Sequence, residues 1–421
     1  MALMKFSKKQ VAALAALAMA CATSAHALDL VGDYQKALTY DPTYQTALAE
    51  FQANQASATQ ALVSYLPEAN LSNQRLDTDT TTRQTVRVTQ PIVDLGRLAT
   101  LRQATPRQGF AEATFLVKQQ DLAMRLLKGA NAIILANENL KLNAAKMAAL
   151  DQQALAAKKK LELGQGTVTD LRDIEVKAAQ AKSQQLSYKT ALNVAAKQYA
   201  AITGSQPKVQ DFVLEQKDRS LELKPTQEYV DLALQSSPAL LATRFSERVA
   251  ELELEKTTGA LLPTVSATYN SSKAGNAAAN TYTGVLVNMP LTAGSYYGRK
   301  SVEANYLKAK EATRDSEEKT RVEVEKLREQ IETGLEALKI QKDAIAAAEL
   351  SLEANQKSYE GGVRSAVDIL NATQTVFQVK SDYVNALSNE VESLLSLTST
   401  ISISPMDSLS VVSNFLLGVN K

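Results

Sequence analysis

LLPTVSATYN, residues 261–270, is where this sequence stops reading as helix and starts reading as strand. Pro263 cannot continue a helix, because it has no N–H to donate and its ring collides with the preceding turn. Beyond it Val265, Ala267 and Tyr269 alternate with Thr264, Ser266, Thr268 and Asn270, and a period of two describes a strand with one apolar and one polar face. ANLSNQR from Ala69, TVRVTQ from Thr85 and YTGVLVN from Tyr282 alternate in the same way. The connections DTDTTTR and SSKAGNAAANT are polar or glycine-bearing, as external loops are. The pattern predicts two hairpins, 67–91 and 263–290, with one face suited to lipid and the other to water. Four strands cannot close a membrane barrel, since the smallest single-chain barrels have about eight, and an open edge is not tolerated in lipid. Either several chains share a barrel or there is none.

Outward from the hairpins, the chain is one unit written twice. Asp41-Pro42 recurs as Ser237-Pro238 and Leu66-Pro67 as Leu262-Pro263, with 25 residues from proline to proline in both copies. Pro91 pairs with Pro290, and LGQGTVTDL from Leu163 pairs with EGGVRSAVDIL from Glu360, Asp170 matching Asp368. Each half opens with a helical segment, about 29–64 and 226–260, that ends before its proline. The expected organisation is a first repeat at 28–204 with a long helical hairpin over 94–204, a linker at 205–226, a second repeat at 227–400 with its helical hairpin over 294–400, and a C-terminal tail at 401–421.

The long helices are predicted from unbroken heptads. Leu126, Ile133, Leu140, Met147, Ala154 and Leu161 stand seven apart, as do Ile331, Leu338, Ile345, Leu352 and Tyr359, and, on the first return helix, Ile174, Ala181, Tyr188, Ala195 and Ile202. Such a seam implies helices supercoiled about their neighbours. From Asp94 to Leu163 the rise is about 100 Å, too long for a compact core. Taken alone, the heptads read as an ordinary periplasmic coiled coil, a scaffold or adaptor. The strand hairpins weigh against a simple rod.

Composition narrows the function. Lys5, Lys8 and Lys9, an apolar run from Val11 to Ala20 and Ala25-His26-Ala27 read as a secretory signal over residues 1–27. Acylation of Cys21 is the other reading of this segment. The only Cys and the only His, Cys21 and His26, both lie within it. The remaining chain has no general base of the usual kind near neutral pH and no Cys or His to ligate a transition metal. No nucleophile elbow or phosphate-cradling glycine loop is present. An enzyme and a cofactor are therefore not expected. A formal charge of +1 gives no reason to expect nucleic acid.

Thr167-x-x-Asp170 and Ser365-x-x-Asp368 both fit a capping box at the start of a helix. Arg364 just before a helix start opposes the helix dipole and calls for a carboxylate, either Asp368 or Asp170. Tyr65, Tyr269 and Tyr282 near the strand ends suit either an aromatic girdle or ordinary strand packing.

In order and spacing, DPTYQTALAE (41–50), YLPEANLS (65–72), LLPTVSAT (261–268), AITG (201–204) and YEGGVRSAVDILNATQTVF (359–377) resemble the TolC family of outer-membrane efflux proteins. The resemblance implies a mainly α chain with a small β part. Three chains would each give four strands to a 12-stranded outer-membrane barrel, above an α-barrel of long coiled-coil hairpins. It implies a homotrimer in outer-membrane lipid, exporting proteins or small molecules with a periplasmic adaptor (membrane fusion) protein and an inner-membrane pump of ABC or RND type. It places an entrance ring on Asp368 and Asn371, and a latch of Tyr359 and Arg364 against Thr169 and Asp170. Family members carry a second acid where this chain has Asn371, which implies a more weakly charged ring, less sensitive to multivalent cations. Thr167 and Ser365 remain caps in either case.

Overall fold

The computed structural model describes residues 28–75, 81–164, 166–212, 221–289, 293–361 and 363–417. The signal reading of 1–27, with Cys21 and His26, lies outside them, as do Pro290 and part of the 77–83 loop. In chain order the elements are α1 (Leu30–Tyr40), α2 (Pro42–Val63), β1 (Glu68–Gln74), β2 (Arg83–Val93), α3 (Leu95–Glu162) and α4 (Val168–Thr203). They are followed by α5 (Thr226–Ser236), α6 (Pro238–Gly259), β3 (Thr264–Ala274), β4 (Asn280–Asn288), α7 (Ala293–Glu360), α8 (Ala366–Thr400) and α9 (Pro405–Leu417). The mainly helical class with four strands is the one the sequence implied. α3 and α7 are each 68 residues long, about 100 Å at 1.5 Å per residue.

Each opening segment, expected as one helix, is two. A residue before proline is pushed out of the α region, and Asp41 (φ −61°, ψ 118°) and Ser237 (φ −54°, ψ 120°) are extended, so the chain turns there. Proline then occupies the first turn of the next helix, where its missing N–H costs nothing. Asp41 uses the break. Its carboxylate caps α2 by accepting from Tyr44 N at 2.7 Å, and it receives Arg125 of α3 in a two-pronged pair at 2.8 and 2.9 Å. Asp41 is only 2% exposed.

The four strands form one antiparallel sheet in the order β1-β2-β3-β4, so β2 and β3 join the two hairpins across the repeat. Paired residues lie on one face, and the faces alternate along each strand. One face carries Val93, Val265 and Val287, then Ala267 and Val285, then Val88 and Tyr269. The other carries Thr89, Thr268 and Gly284, then Arg87, Asn270 and Tyr282. Register shifts between Pro91 and Val93, where Pro91 has no N–H to give to the ladder. Tyr269 and Tyr282 lie on opposite faces, while Tyr65 donates its hydroxyl to the Ile92 carbonyl at 3.0 Å. The three tyrosines therefore do not make one belt. β1 and β4 are the two free edges of the sheet within the chain.

The apolar core is concentrated at the waist. There Leu122, Leu126, Leu127 and Ile133 of α3, Ile331 of α7 and Val391 and Leu395 of α8 are fully buried. The expected tail over 401–421 instead contains α9, which adds Leu409, Val412, Phe415 and Leu416 to that core. Ser404 caps α9 by accepting from Asp407 N at 3.2 Å. Part of the linker joins in, with Phe212 buried edge-on against Tyr199 at 5.4 Å between ring centres. Nearer the turns the packing thins to a cluster of Leu150, Ala157, Ile174, Ala181, Ala366 and Leu370. Between the two clusters the heptad positions Leu140 and Met147 are only half-buried, and Asn137 and Asn143 are buried in their place.

Removing Arg125 leaves the Asp41 carboxylate buried without its cation, so Arg125→Ala should lower stability by about 3 kcal/mol, read in a urea titration against Arg125→Lys. Glu390 of α8 gives a pH-dependent expectation. Its carboxyl is buried against Gly334, Oε1 has no hydrogen-bond partner, and burial pushes its pKa up to about 8. In the unfolded chain it releases its proton near 4.5. Between those values the folded state binds the extra proton, so its contribution to stability falls as pH rises from about 4.5 to 8. Glu390→Gln should flatten that fall in melting temperature measured against pH.

Candidate functional site

The elements that bring the predicted residues together are the two helical turns at the ends of α3 and α7, far along the helices from the sheet. α3 stops when Leu163 and Gly164 fold back onto the carbonyls of Lys159 and Leu161 at 3.1 and 3.0 Å, with Gly164 at φ +71°. A left-handed residue at this place closes a helix, and glycine adopts it without strain. α4 restarts at Thr167, whose Oγ1 accepts from Asp170 N at 3.1 Å and donates to Asp170 Oδ2 at 2.7 Å. The second turn closes by Gly361 N donating to the Lys357 carbonyl at 3.1 Å and Val363 N to that of Ser358 at 2.9 Å.

α8 opens with a reciprocal capping box. Asp368 N donates to Ser365 Oγ at 3.3 Å, and Ser365 N donates to Asp368 Oδ2 at 2.9 Å. Both turns share the hydroxyl–carboxylate contact, Ser365 Oγ donating to Asp368 Oδ2 at 2.9 Å, and differ in the reciprocal backbone bond from Ser365 N, which only the second is seen to make among the described residues. The Ser365 backbone N–H and hydroxyl hold the Asp368 carboxyl below its ordinary range, with Arg364 adding to the effect. Asp368 is thus an anion at any physiological pH, at the N-terminus of a helix whose dipole favours it.

Of the two partners open to Arg364, the chain supplies Asp368, one turn along, at 3.7 Å between Nη1 and Oδ1. The guanidinium is 57% exposed. Tyr359 packs elsewhere. Lys160 of α3 lies 3.5 Å from its ring centre and donates to its carbonyl at 3.3 Å, tying the end of α7 to the end of α3. Among the described residues of one chain, no hydrogen bond or ion pair joins Tyr359 or Arg364 to Thr169 or Asp170. Thr169 is exposed, Asp170 half-buried, and Asn371 exposed one turn beyond Asp368. Lys160 was not legible as a site residue, because beside Lys159 it reads as a charge complementing the C-terminal end of α3.

Behind the turns, Lys160 and Tyr359 line a cavity of about 440 Å³ with Gln153, Gln356 and Ile369. Gln153 Nε2 donates to Thr373 Oγ1 at 3.2 Å, bridging α3 and α8, and its Oε1 is buried without a partner. At the tips Leu163, Val168 and Val363 are exposed apolar side chains. Among the described residues there is no cluster of His, Cys, Asp or Glu fit to hold a metal, and no helix long and apolar enough to cross a membrane.

Comparison with known proteins gives one answer. The family described as Outer membrane efflux protein matches residues 229–401. The alkaline protease secretion protein AprF of Pseudomonas aeruginosa is 23% identical, over 86% of this chain and 83% of its own length. The outer membrane protein TolC of Vibrio cholerae is 23% identical, over 87% and 89%. Among solved structures, the outer membrane protein VceC from Vibrio cholerae superimposes with a TM-score of 0.76 at 17% identity, over 88% of this chain and 95% of its own. CusC gives 0.73 at 15% identity, over 91% and 95%. With the paired hairpins, the twin 68-residue helices and the capped turns in the order read from the sequence, the chain is similar to the TolC-like outer-membrane efflux proteins, in sequence over residues 229–401 and in fold over most of its length.

Proposed function

We infer that the protein is a passive outer-membrane channel with a periplasmic helical tunnel, and not an enzyme. The observation that carries this reading is the sheet, which has an apolar face, a polar face and two unpaired edges. In hydrocarbon every backbone N–H and C=O must be paired within the protein, so β4 of one chain has to find β1 of another. Three chains supply twelve strands, with the apolar face toward lipid and the polar face toward the lumen.

The finer organisation follows from the same placement. Residues 28–204 and 227–400 act as two half-molecules joined by 205–226, each giving one strand hairpin to the barrel and one helical hairpin to the tunnel wall. The turns form the entrance, with Asp368 and Asn371 facing the axis as a ring of single acids. Tyr359 and Arg364 latch against Thr169 and Asp170 when the hairpins close around the axis. The exposure of Arg364 and its long contact to Asp368 support this, because such a cation can change partners at little cost. The alanine-rich cluster behind the turns supports an iris-like opening, since little apolar packing opposes a shift of α4 and α8. Energy comes from an inner-membrane pump, ABC or RND in type, met through a periplasmic adaptor. The exposed Leu163, Val168 and Val363 support a partner docking at the tips. The names of AprF and of the proteases secretion protein PrtF of Dickeya chrysanthemi favour a polypeptide cargo.

Planar-bilayer recording of the purified protein should give discrete conductance steps, and their absence from well-folded protein would favour a coiled-coil scaffold. Arg364→Ser should raise the single-channel conductance, and an unchanged value would count against the latch. Val285→Arg puts a charge on the lipid face and should cost about 2–4 kcal/mol if it lies near the bilayer midplane. On gels run without boiling it should reduce the heat-modifiable oligomer, whereas Thr268→Arg on the polar face should leave that band intact.

A further inference from the structure

A second cavity lies between the waist core and the turns, and its wall chemistry differs from that near the entrance. It measures about 290 Å³, at the small end of ligand cavities. It is formed where α3, α4 and α8 meet, in the band where the apolar ladder gives way to asparagine. Lys146 of α3 and Lys177 of α4 both line it, with Gln180 and Gln184 of α4, Gln374 and Gln378 of α8 and a few apolar side chains such as Leu142 and Phe377 also in the wall.

The surroundings are held in place by their own bonds. Asn143 Nδ2 donates to the Ala181 carbonyl at 2.9 Å, fixing α3 against α4. Ser381 Oγ donates to Asn139 Oδ1 at 2.8 Å, fixing α8 against α3. Lys146 Nζ donates to Gln374 Oε1 at 2.7 Å. No carboxylate lines the cavity, and among the described residues none pairs with Lys146 or Lys177. The nearby acids lie outside the wall. Glu138 pairs with Lys141 and Glu175 with Arg172. Asp382 accepts from Gln378 Nε2, and Asp173, one turn before Lys177, is not part of the wall. Burial and the neighbouring Lys177 ammonium hold the Lys146 pKa below its usual value.

Two ammonium groups in one small cavity repel each other, and one of them is half-buried. An anion between them would remove the repulsion and replace lost water, and carboxamide N–H groups can complete its hydrogen bonds. A cation would meet two like charges, and an apolar solute would meet a largely polar wall. We propose that Lys146 and Lys177 form a binding pocket for small polyvalent oxyanions of the phosphate or carboxylate type. Gln374 and Gln378 follow Asn371 by three and seven residues, which puts them on the face of α8 that carries Asp368 and Asn371. Resting on the tunnel reading given above, that face turns the pocket toward the lumen, where it offers anionic solutes a positive station beyond a weakened acidic entrance.

Isothermal titration of the purified oligomer in detergent with inorganic pyrophosphate, and in a second arm with citrate, tests the pocket without requiring current. Saturable binding near one per chain is expected, weakening as salt is raised. It should fall at least tenfold in the double variant Lys146→Gln, Lys177→Gln, and persist in Lys177→Arg. Gln378→Glu, which adds a carboxylate to the wall, should also abolish it while leaving the oligomer and its helical circular dichroism unchanged. No saturable binding to the unaltered protein, or equal binding by the double variant, would overturn the proposal. Bilayer recording separates the two readings: binding without conductance keeps the pocket and sinks the tunnel, and conductance without binding does the reverse.

Discussion

An edge strand in hydrocarbon has nowhere to send its backbone N–H and C=O groups, and each unpaired group costs several kcal/mol. Every large feature of this chain answers to that constraint. Its four strands form a sheet with apolar residues on one face, polar residues on the other and two open edges. Such a sheet is stable in a membrane only as an arc of a larger closed barrel. In the proposed trimer, closure by three chains dictates what lies below, because helices that continue from a ring of strands must themselves form a ring. Two helices of 68 residues per chain, with return helices beside them, would extend that ring into a tube about 100 Å long.

The tube is not uniformly packed. At the waist, α1, α5 and α9 wrap the long helices, and the Asp41–Arg125 pair ties the break between α1 and α2 to α3. Farther out the apolar ladder gives way to asparagine, lysine and glutamine, and then to a small cluster rich in alanine. Apolar packing is extensive at the waist and thin at the turns, where Asp368 is held ionised by its own capping box.

Much of this was legible in the sequence, because prolines and alternation act locally. Pro67 and Pro263 mark the helix ends, the period-two segments mark the strands, and the matched spacing of the halves anticipates two helices of equal length. The breaks at Asp41 and Ser237 were legible in principle from the proline that follows each, but the helical periodicity runs across them and hides the turn. Ser404-x-x-Asp407 carried the same cap signature as Ser365-x-x-Asp368, and it marks α9 inside what reads as a tail. What local reading does not give is pairing across the repeat. The joining of β2 to β3, the seating of Lys160 on Tyr359 and the convergence of Lys146 with Lys177 each bring together residues from distant elements whose own neighbourhoods look ordinary.

On the tunnel reading one chain is an incomplete wall, and three make a closed one. Native mass spectrometry of the detergent-extracted protein reads this directly. A dominant species of three chains that survives gentle activation is expected; a folded, stable single chain with its four strands intact would rule out the shared barrel.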